Sequence, residues 1–167
     1  PIEFRLRYLK DPRGIEVIRR VAARMGWTPR PRPQTADPRA PVLSGRGFSY
    51  VHYKHSENYV AMGMEVAVER ASGRIRVTRL VCAQDCGLVV NPDCVRNQVE
   101  GCILQGLSRT LFEEVKFDRE GVTSVDWGSY PVLEFTDAPP LEIELVDRPT
   151  EPPIGTGEAA GTPVPGA

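Results

Sequence analysis

The run "NPDCVRNQVEGCILQGLSRTLFEEV", residues 91–115, fixes one element of this chain almost residue by residue. Asn91 is a good helix cap, Pro92 suits the first helical position because its missing N–H costs nothing there, and Asp93 suits the positive first turn. A helix to about Glu113 follows. Val95, Val99, Cys102 or Ile103, Gly106 or Leu107, and Leu111 recur at helical spacing and define its core-facing band. Steps of three and four put Gln98, Gly101, Gln105 and Ser108 on a second stripe. Glycine inside a helix costs about 1 kcal/mol relative to alanine, so Gly101 and Gly106 imply a close approach. The approaching body is either another backbone or a flat polar ligand, for which Gln105 offers a donor and an acceptor.

Upstream of this helix the period of the sequence is two. Met62, Met64, Val66 and Val68 alternate with Ala61, Gly63, Glu65 and Ala67, and Ile75, Val77, Arg79 and Val81 alternate with Arg76, Thr78 and Leu80. This predicts a hairpin or meander turning near Ser72 and Gly73, its first strand ending near His52 to His55. The two histidines have no identifiable third ligand and read as strand-end or surface residues.

Before the strands, "DPRGIEVIRRVAARMGW" predicts an amphipathic surface helix with Ile15, Ile18, Val21 or Ala22, and Met25 on its inner face and Gly26 as its stop. Residues 28–45 are proline-rich and without period, as expected of an extended connection. After the long helix, residues 115–149 read as short strands divided by Gly121, Pro131, Pro139 and Pro140, with "PLEIELV" the cleanest alternation. No P-loop, dinucleotide glycine fingerprint, internal repeat or G-x-S-x-G elbow occurs. Helix, strands, long helix and strands without a repeating βαβ unit predict one α+β domain over residues 1–167, with a mixed or largely antiparallel sheet and a long central helix.

The totals agree with a globular domain: 167 residues, 41% hydrophobic and 26% charged, suffice for one sizeable core. No apolar run approaches bilayer-spanning length. Positions 1–48 carry eleven Lys or Arg against four Asp or Glu, and positions 99–167 carry four against thirteen. The arginines are dispersed and no nucleic-acid motif accompanies them, so the asymmetry points to an acidic partner surface or to the chain's own acidic part. Cys82, Cys86, Cys94 and Cys102 lack the paired spacing of zinc or iron-sulfur ligands and read as buried apolar thiols.

"PPIGTGEAAGTPVPGA", residues 152–167, sets one carboxylate, Glu158, among glycines and alanines. Such a stretch is a poor helix interior and, by composition, no hydrophobic core. It reads either as a flexible tail or as shaped backbone that presents Glu158 as an acid or base.

Together "DCGLVVNPDCVRNQVEGCILQGLS", "YPVLEF" and "PPIGTGEAAGTPVPGA" resemble the C-terminal part of the large molybdenum-binding subunit of the xanthine dehydrogenase and aldehyde oxidase family, in particular the branch of bacterial isoquinoline 1-oxidoreductase and aldehyde dehydrogenase beta subunits. The resemblance spans nearly the whole chain in order. It implies a molybdenum-molybdopterin cofactor, in bacteria usually the cytosine dinucleotide form, and hydroxylation of N-heteroaromatic compounds or aldehydes with oxygen from water. Glu158 matches the family's general base, Gly155 and Gly157 the glycines before it, and Gln105 and Gly106 the pair that approaches the pterin. Gln98 and Gly101, on the same stripe, are further candidate cofactor contacts. Asp85, Gly87, Asn91 and Pro92 match the segment leading into the helix. No residue of this chain is expected to ligate the metal.

Residues 152–167 would then be an active-site loop, although Ala159 follows the glutamate where the family typically has proline. The implied partners are the upstream remainder of the large subunit, a small two-cluster iron-sulfur subunit and a small-molecule substrate. By the same resemblance this chain is one part of a longer subunit and inactive alone. The competing reading is a structural or interaction module that keeps the fold without the cofactor.

Overall fold

The computed structural model describes residues 1–29, 37 and 39–167. Helices α1 (Ile2–Tyr8) and α2 (Pro12–Arg24) precede three long strands, β1 (Val42–His52), β2 (Tyr59–Glu69) and β3 (Ile75–Asp85). Helix α3 (Pro92–Leu111) and strand β4 (Leu141–Leu145) follow, and the tail carries two short 3₁₀ turns, Ala159–Gly161 and Val164–Gly166. The sheet order is β1-β2-β3-β4, the first two pairings antiparallel and β3-β4 parallel. This is an α+β fold with a mixed sheet, and α3 is the crossover between the two parallel strands.

Both faces of the sheet are covered, and the side-chain alternation of the strands decides what goes where. Tyr59, Ala61, Val81 and Ala83 pack with Val17, Ile18 and Val21 of α2 and with Met25 just after it. Val60, Met62, Met64, Leu80 and Cys82 point the other way, against Val99, Cys102, Ile103 and Leu107 of α3 and Ala159, Ala160 and Val164 of the tail. Fully burying one aliphatic side chain is worth about 1.5–3 kcal/mol, so each layer is held chiefly by these contacts.

Several expectations need correction. The buried face of α2 is Gly14, Val17, Ile18 and Val21, with Ile15 half-buried at its edge. Val42–Gly45 pair with Val66–Glu69, so the extended connection ends at Pro41, and its arginines Arg30 and Arg32 lie outside the described residues. Between α3 and β4 the described backbone forms one isolated bridge, Phe117 to Val122, and a 3₁₀ turn, Phe135–Asp137, instead of several strands. Cys94 is exposed, unlike Cys82, Cys86 and Cys102. The tail is no loop hanging in solvent and does enter the core: Ala159, Ala160 and Val164 are each at most 2% exposed.

Among the described residues, Arg13, Arg20 and Arg24 of the basic N-terminal third find acidic partners inside the chain. Arg20 of α2 bonds Glu144 of β4 at 2.5 Å, and Arg24 reaches the same carboxylate at 3.4 Å. Asp85, at the end of β3, is fully buried and accepts from Arg13 Nη2 at 2.5 Å, Arg13 Nε at 3.1 Å, Arg148 Nε at 2.9 Å and the Gly87 N–H at 3.0 Å. Arg148 continues to Glu16 of α2. Burial alone would raise the Asp85 pKa, but the two guanidiniums and the amide outweigh it and hold the carboxyl below its ordinary range.

Removing one partner of a buried ion pair leaves an uncompensated charge, so Asp85→Ala is expected to destabilise the protein by about 3–5 kcal/mol, read from its denaturant midpoint. A depressed folded-state pKa means that the unfolded chain binds the proton more readily. The Asp85 contribution is therefore complete above the ordinary carboxylate pKa of about 4 and lost as pH falls through the lower folded value. The stability difference between parent and Asp85→Asn should accordingly shrink as pH is lowered below about 4.

Candidate functional site

Three elements converge on Glu158: the exposed stripe of α3, the tail, and the turn after β1. Helix α3 begins as its sequence dictates, with Asn91 Oδ1 accepting the Cys94 N–H at 3.0 Å and Pro92 in the first turn. Along it Gln98, Gly101 and Gln105 are exposed. Ser108 departs from that stripe. It is buried and its Oγ accepts the Leu133 N–H at 3.0 Å, which ties the segment after α3 back onto the helix.

The tail starts beside the β3 end, where Ile154 N–H donates to Cys86 O at 3.1 Å. It then crosses α3 through Gly155 (φ +70°) and Gly157 (φ +49°), both in the left-handed region that other residues adopt at a cost. The Gly157 carbonyl accepts from Gln98 Nε2 at 2.7 Å and lies 3.4 Å from Cys102 Sγ. Burial pushes the Cys102 thiol pKa up and the Glu158 charge adds to it, so the sulfur keeps its proton and serves as a weak donor.

Past Glu158, backbone meets backbone. A side chain at Gly106 would put its Cβ 2.8 Å from Val164 Cγ2 and 3.1 Å from Gly161 O, and one at Gly161 would put it 3.2 Å from Cys102 O. Ser49 Oγ of β1 completes the anchorage by donating to Pro163 O at 2.7 Å. The two helix glycines therefore have different reasons. Gly106 is buried and spaced for the tail, whereas a Cβ at Gly101 would meet nothing within 4 Å.

Glu158 itself is exposed and lies at a cleft of about 180 Å³ with Gln105 and Arg109 of α3 and Thr162 and Pro165 of the tail. Its Oε1 accepts from the Tyr53 hydroxyl at 2.8 Å. Of the residues picked out by sequence, the structure puts Gln105, Gly106 and Glu158 at one cleft and joins Gln98 to Gly157 by a hydrogen bond, while Gly101 is exposed on the same stripe of α3 and Gly155 is exposed in the tail before Glu158. Asp85 is a buried structural hub, Gly87 (φ +76°) shapes the turn beside it, and Asn91 and Pro92 start the helix.

Tyr53 and Arg109 are the residues the sequence did not reveal. No local signal marks them, since Tyr53 lies 105 residues from its partner. Among the described residues no group of three or more His, Cys, Asp or Glu is arranged to hold a metal ion. The polar groups that do exist, the Gln105 carboxamide, the Gln98 carboxamide with its nitrogen donating to Gly157 O, and the accepting Glu158 carboxylate, could meet a flat ligand edged with hydrogen-bonding groups, and the surface at Gly101 is open.

The site thus presents one polar face of α3 and one carboxylate at a shallow cleft. Residues 17–139 match the family described as the molybdopterin cofactor-binding domain, and the chain belongs to that family. It is 41% identical to one of the subunits of nicotinate dehydrogenase from Pseudomonas putida, over 98% of this chain and 14% of that protein. To the beta subunit of isoquinoline 1-oxidoreductase from Brevundimonas diminuta it is 34% identical, over 88% of this chain and 18% of that protein. A similar fold occurs in the crystal structure of quinoline 2-oxidoreductase from Pseudomonas putida 86, with a TM-score of 0.61 and 28% identity over 66% of this chain and 15% of that one. The chain spans less than a fifth of the length of each of these proteins.

The two glycines make a paired test of the packing. Gly106→Ala should destabilise the protein by about 1–3 kcal/mol through overpacking against Val164. Gly101→Ala should leave stability unchanged or raise it by about 1 kcal/mol through helix propensity. Thermal denaturation of the two variants beside the parent measures both.

Proposed function

We propose that this chain supplies the general base and one face of the cofactor site of a molybdenum-dependent hydroxylase acting on an N-heteroaromatic compound or an aldehyde, with water as the oxygen source. The observation that carries the proposal is the presentation of Glu158. Its carboxylate is exposed at a cleft, while the backbone on both sides is fixed by Gln98, Cys102 and the Gly106–Gly161 approach. A general base works when it is held within reach of one proton and stays free to accept it. The names of the heteroaromatic-oxidising relatives favour this substrate class over others.

When bound, the molybdenum cofactor supplies the centre that delivers a water-derived oxygen to the substrate carbon and takes up two electrons. Glu158 takes the proton that this oxygen loses, on Oε2, since Oε1 is engaged by Tyr53. Gln98, Gly101 and Gln105 face the pterin, Gln105 as both donor and acceptor and Gly101 by leaving room. Gly155 and Gly157 give the tail the turn that aims the carboxylate, and Gly106 lets that tail lie close to α3. The cofactor, in its cytosine dinucleotide form, is shared with the rest of the large subunit, and a small two-cluster iron-sulfur subunit receives the electrons.

Two measurements on the complete enzyme test this. Glu158→Gln keeps size and hydrogen-bonding reach but accepts no proton, so kcat should fall by about 10²–10⁴-fold at matched molybdenum content, with KM little changed. Turnover equal to the parent's would rule out the base assignment. Gly101→Leu should leave the fold intact yet lower the molybdenum and pterin content, because the added side chain occupies the space next to Gln98 and Gln105. Full occupancy in that variant would remove α3 from the cofactor face.

A further inference from the structure

We infer that Tyr53 is the positioning residue of the site, its phenol holding the Glu158 carboxylate in the orientation from which it accepts a proton. This rests on the reading of Glu158 as the base and goes beyond it by naming the group that aims it. The tail fixes the Glu158 backbone, but an exposed glutamate has three rotatable bonds beyond it and would otherwise sample many orientations. Among the described residues one side-chain donor stops that sampling, the Tyr53 hydroxyl at 2.8 Å from Oε1.

Tyr53 is itself held from several sides. It follows directly on β1, its ring packs against the core beneath α3 and the tail, and its N–H donates to Asn58 O at 2.8 Å. Its carbonyl accepts the Glu57 N–H at 3.0 Å, closing a turn whose next residues, Lys54 (φ 49°) and His55 (φ 59°), are both left-handed without being glycine. Such a backbone persists only where the surroundings over-determine it. The Lys54 ammonium lies 5.2 Å from the centre of the Tyr53 ring and 3.4 Å from Glu57, so the strained turn also braces the aromatic face.

The chemistry suits the role. A tyrosine ring is a rigid lever with few torsions, and its O–H is a neutral donor that can orient a carboxylate without neutralising it. Its hydrogen bond to Glu158 pushes the Tyr53 pKa above the ordinary phenol range, so it remains a donor wherever the glutamate is ionised. Only one carboxylate oxygen is used. Glu158 Oε2 is left for the reacting proton, and the effective gain is orientational.

The test combines kinetics with a readout that does not depend on turnover, on the complete enzyme at matched molybdenum content. Tyr53→Phe keeps the ring and its packing and should lower kcat roughly tenfold with KM unchanged. In the Glu158→Gln background the same change should cost little more, because no base remains to be aimed. Independently, an ultraviolet difference titration of parent against Tyr53→Phe isolates the Tyr53 phenol, which should ionise closer to its ordinary range once Glu158 is glutamine. Equal kcat losses from Tyr53→Phe in both backgrounds, with Glu158→Gln itself impaired, would overturn the positioning role and leave the base reading standing. A Tyr53 titration indifferent to Glu158→Gln would overturn it as well. Parental turnover in Glu158→Gln would instead remove the base reading, and the positioning role with it.

Discussion

The arrangement depends on a buried carboxylate shared by two arginines. Asp85 ends β3, and through it Arg13 of α2 and Arg148 beyond β4 are held at one point, with Gly87 closing the turn that leads to α3. Without it the two guanidiniums would lose the one fully buried carboxylate at which α2 and the chain beyond β4 meet the end of β3, and the apolar contacts beside it are not directional. With it the exit of β3, the start of the long helix and the return of the tail have fixed relative positions. Buried pairs are poor sources of net stability, yet they discriminate strongly against wrong arrangements because an unpaired charge there is so costly. The site residues inherit their geometry from this junction although none of them touches it.

Above the junction, the tail is a case of burial achieved by smallness. Ala159, Ala160 and Val164 together contribute modest apolar area, but Gly106 and Gly161 let the two backbones approach until that area is fully covered. Dispersion falls off steeply with distance, so closeness compensates for size. This geometry also explains why Glu158 can be solvent-facing and yet fixed: the residues directly after it are among the most deeply buried in the chain.

What the sequence revealed follows the range of the interactions concerned. The cap at Asn91, the start at Pro92 and the hairpin through Gly73 are local, and they occur where the residues said they would. The inner face of α2 departs by one position from its apolar periodicity because Gly14 lies under Tyr50, a contact no periodicity registers. Segment 115–140 has strand-like residues, yet Phe117 and Trp127 are 77% and 78% exposed, and without a neighbouring strand to pair with, propensity alone built a single bridge. Of the candidate site, the close approach at Gly106 was legible in the sequence, because a glycine inside a helix otherwise rich in formers implies one. Tyr53 was not, since its meaning lies in a residue 105 positions away. The core role of the tail was likewise hidden, because alanine and glycine give no hydrophobic signal of their own.

That same separation has a consequence for the order of assembly. β1, β2 and β3 are sequential neighbours joined by short turns, so their pairings close small loops and can form early. The Tyr53–Glu158 and Ser49–Pro163 bonds span 105 and 114 residues and must wait for α3 and β4 to be in position. The last structure gained is in general among the first surrendered. Under mild denaturation the tail would therefore lift from α3 while the sheet still stands, and the protein would lose its carboxylate from the cleft well before it lost its fold.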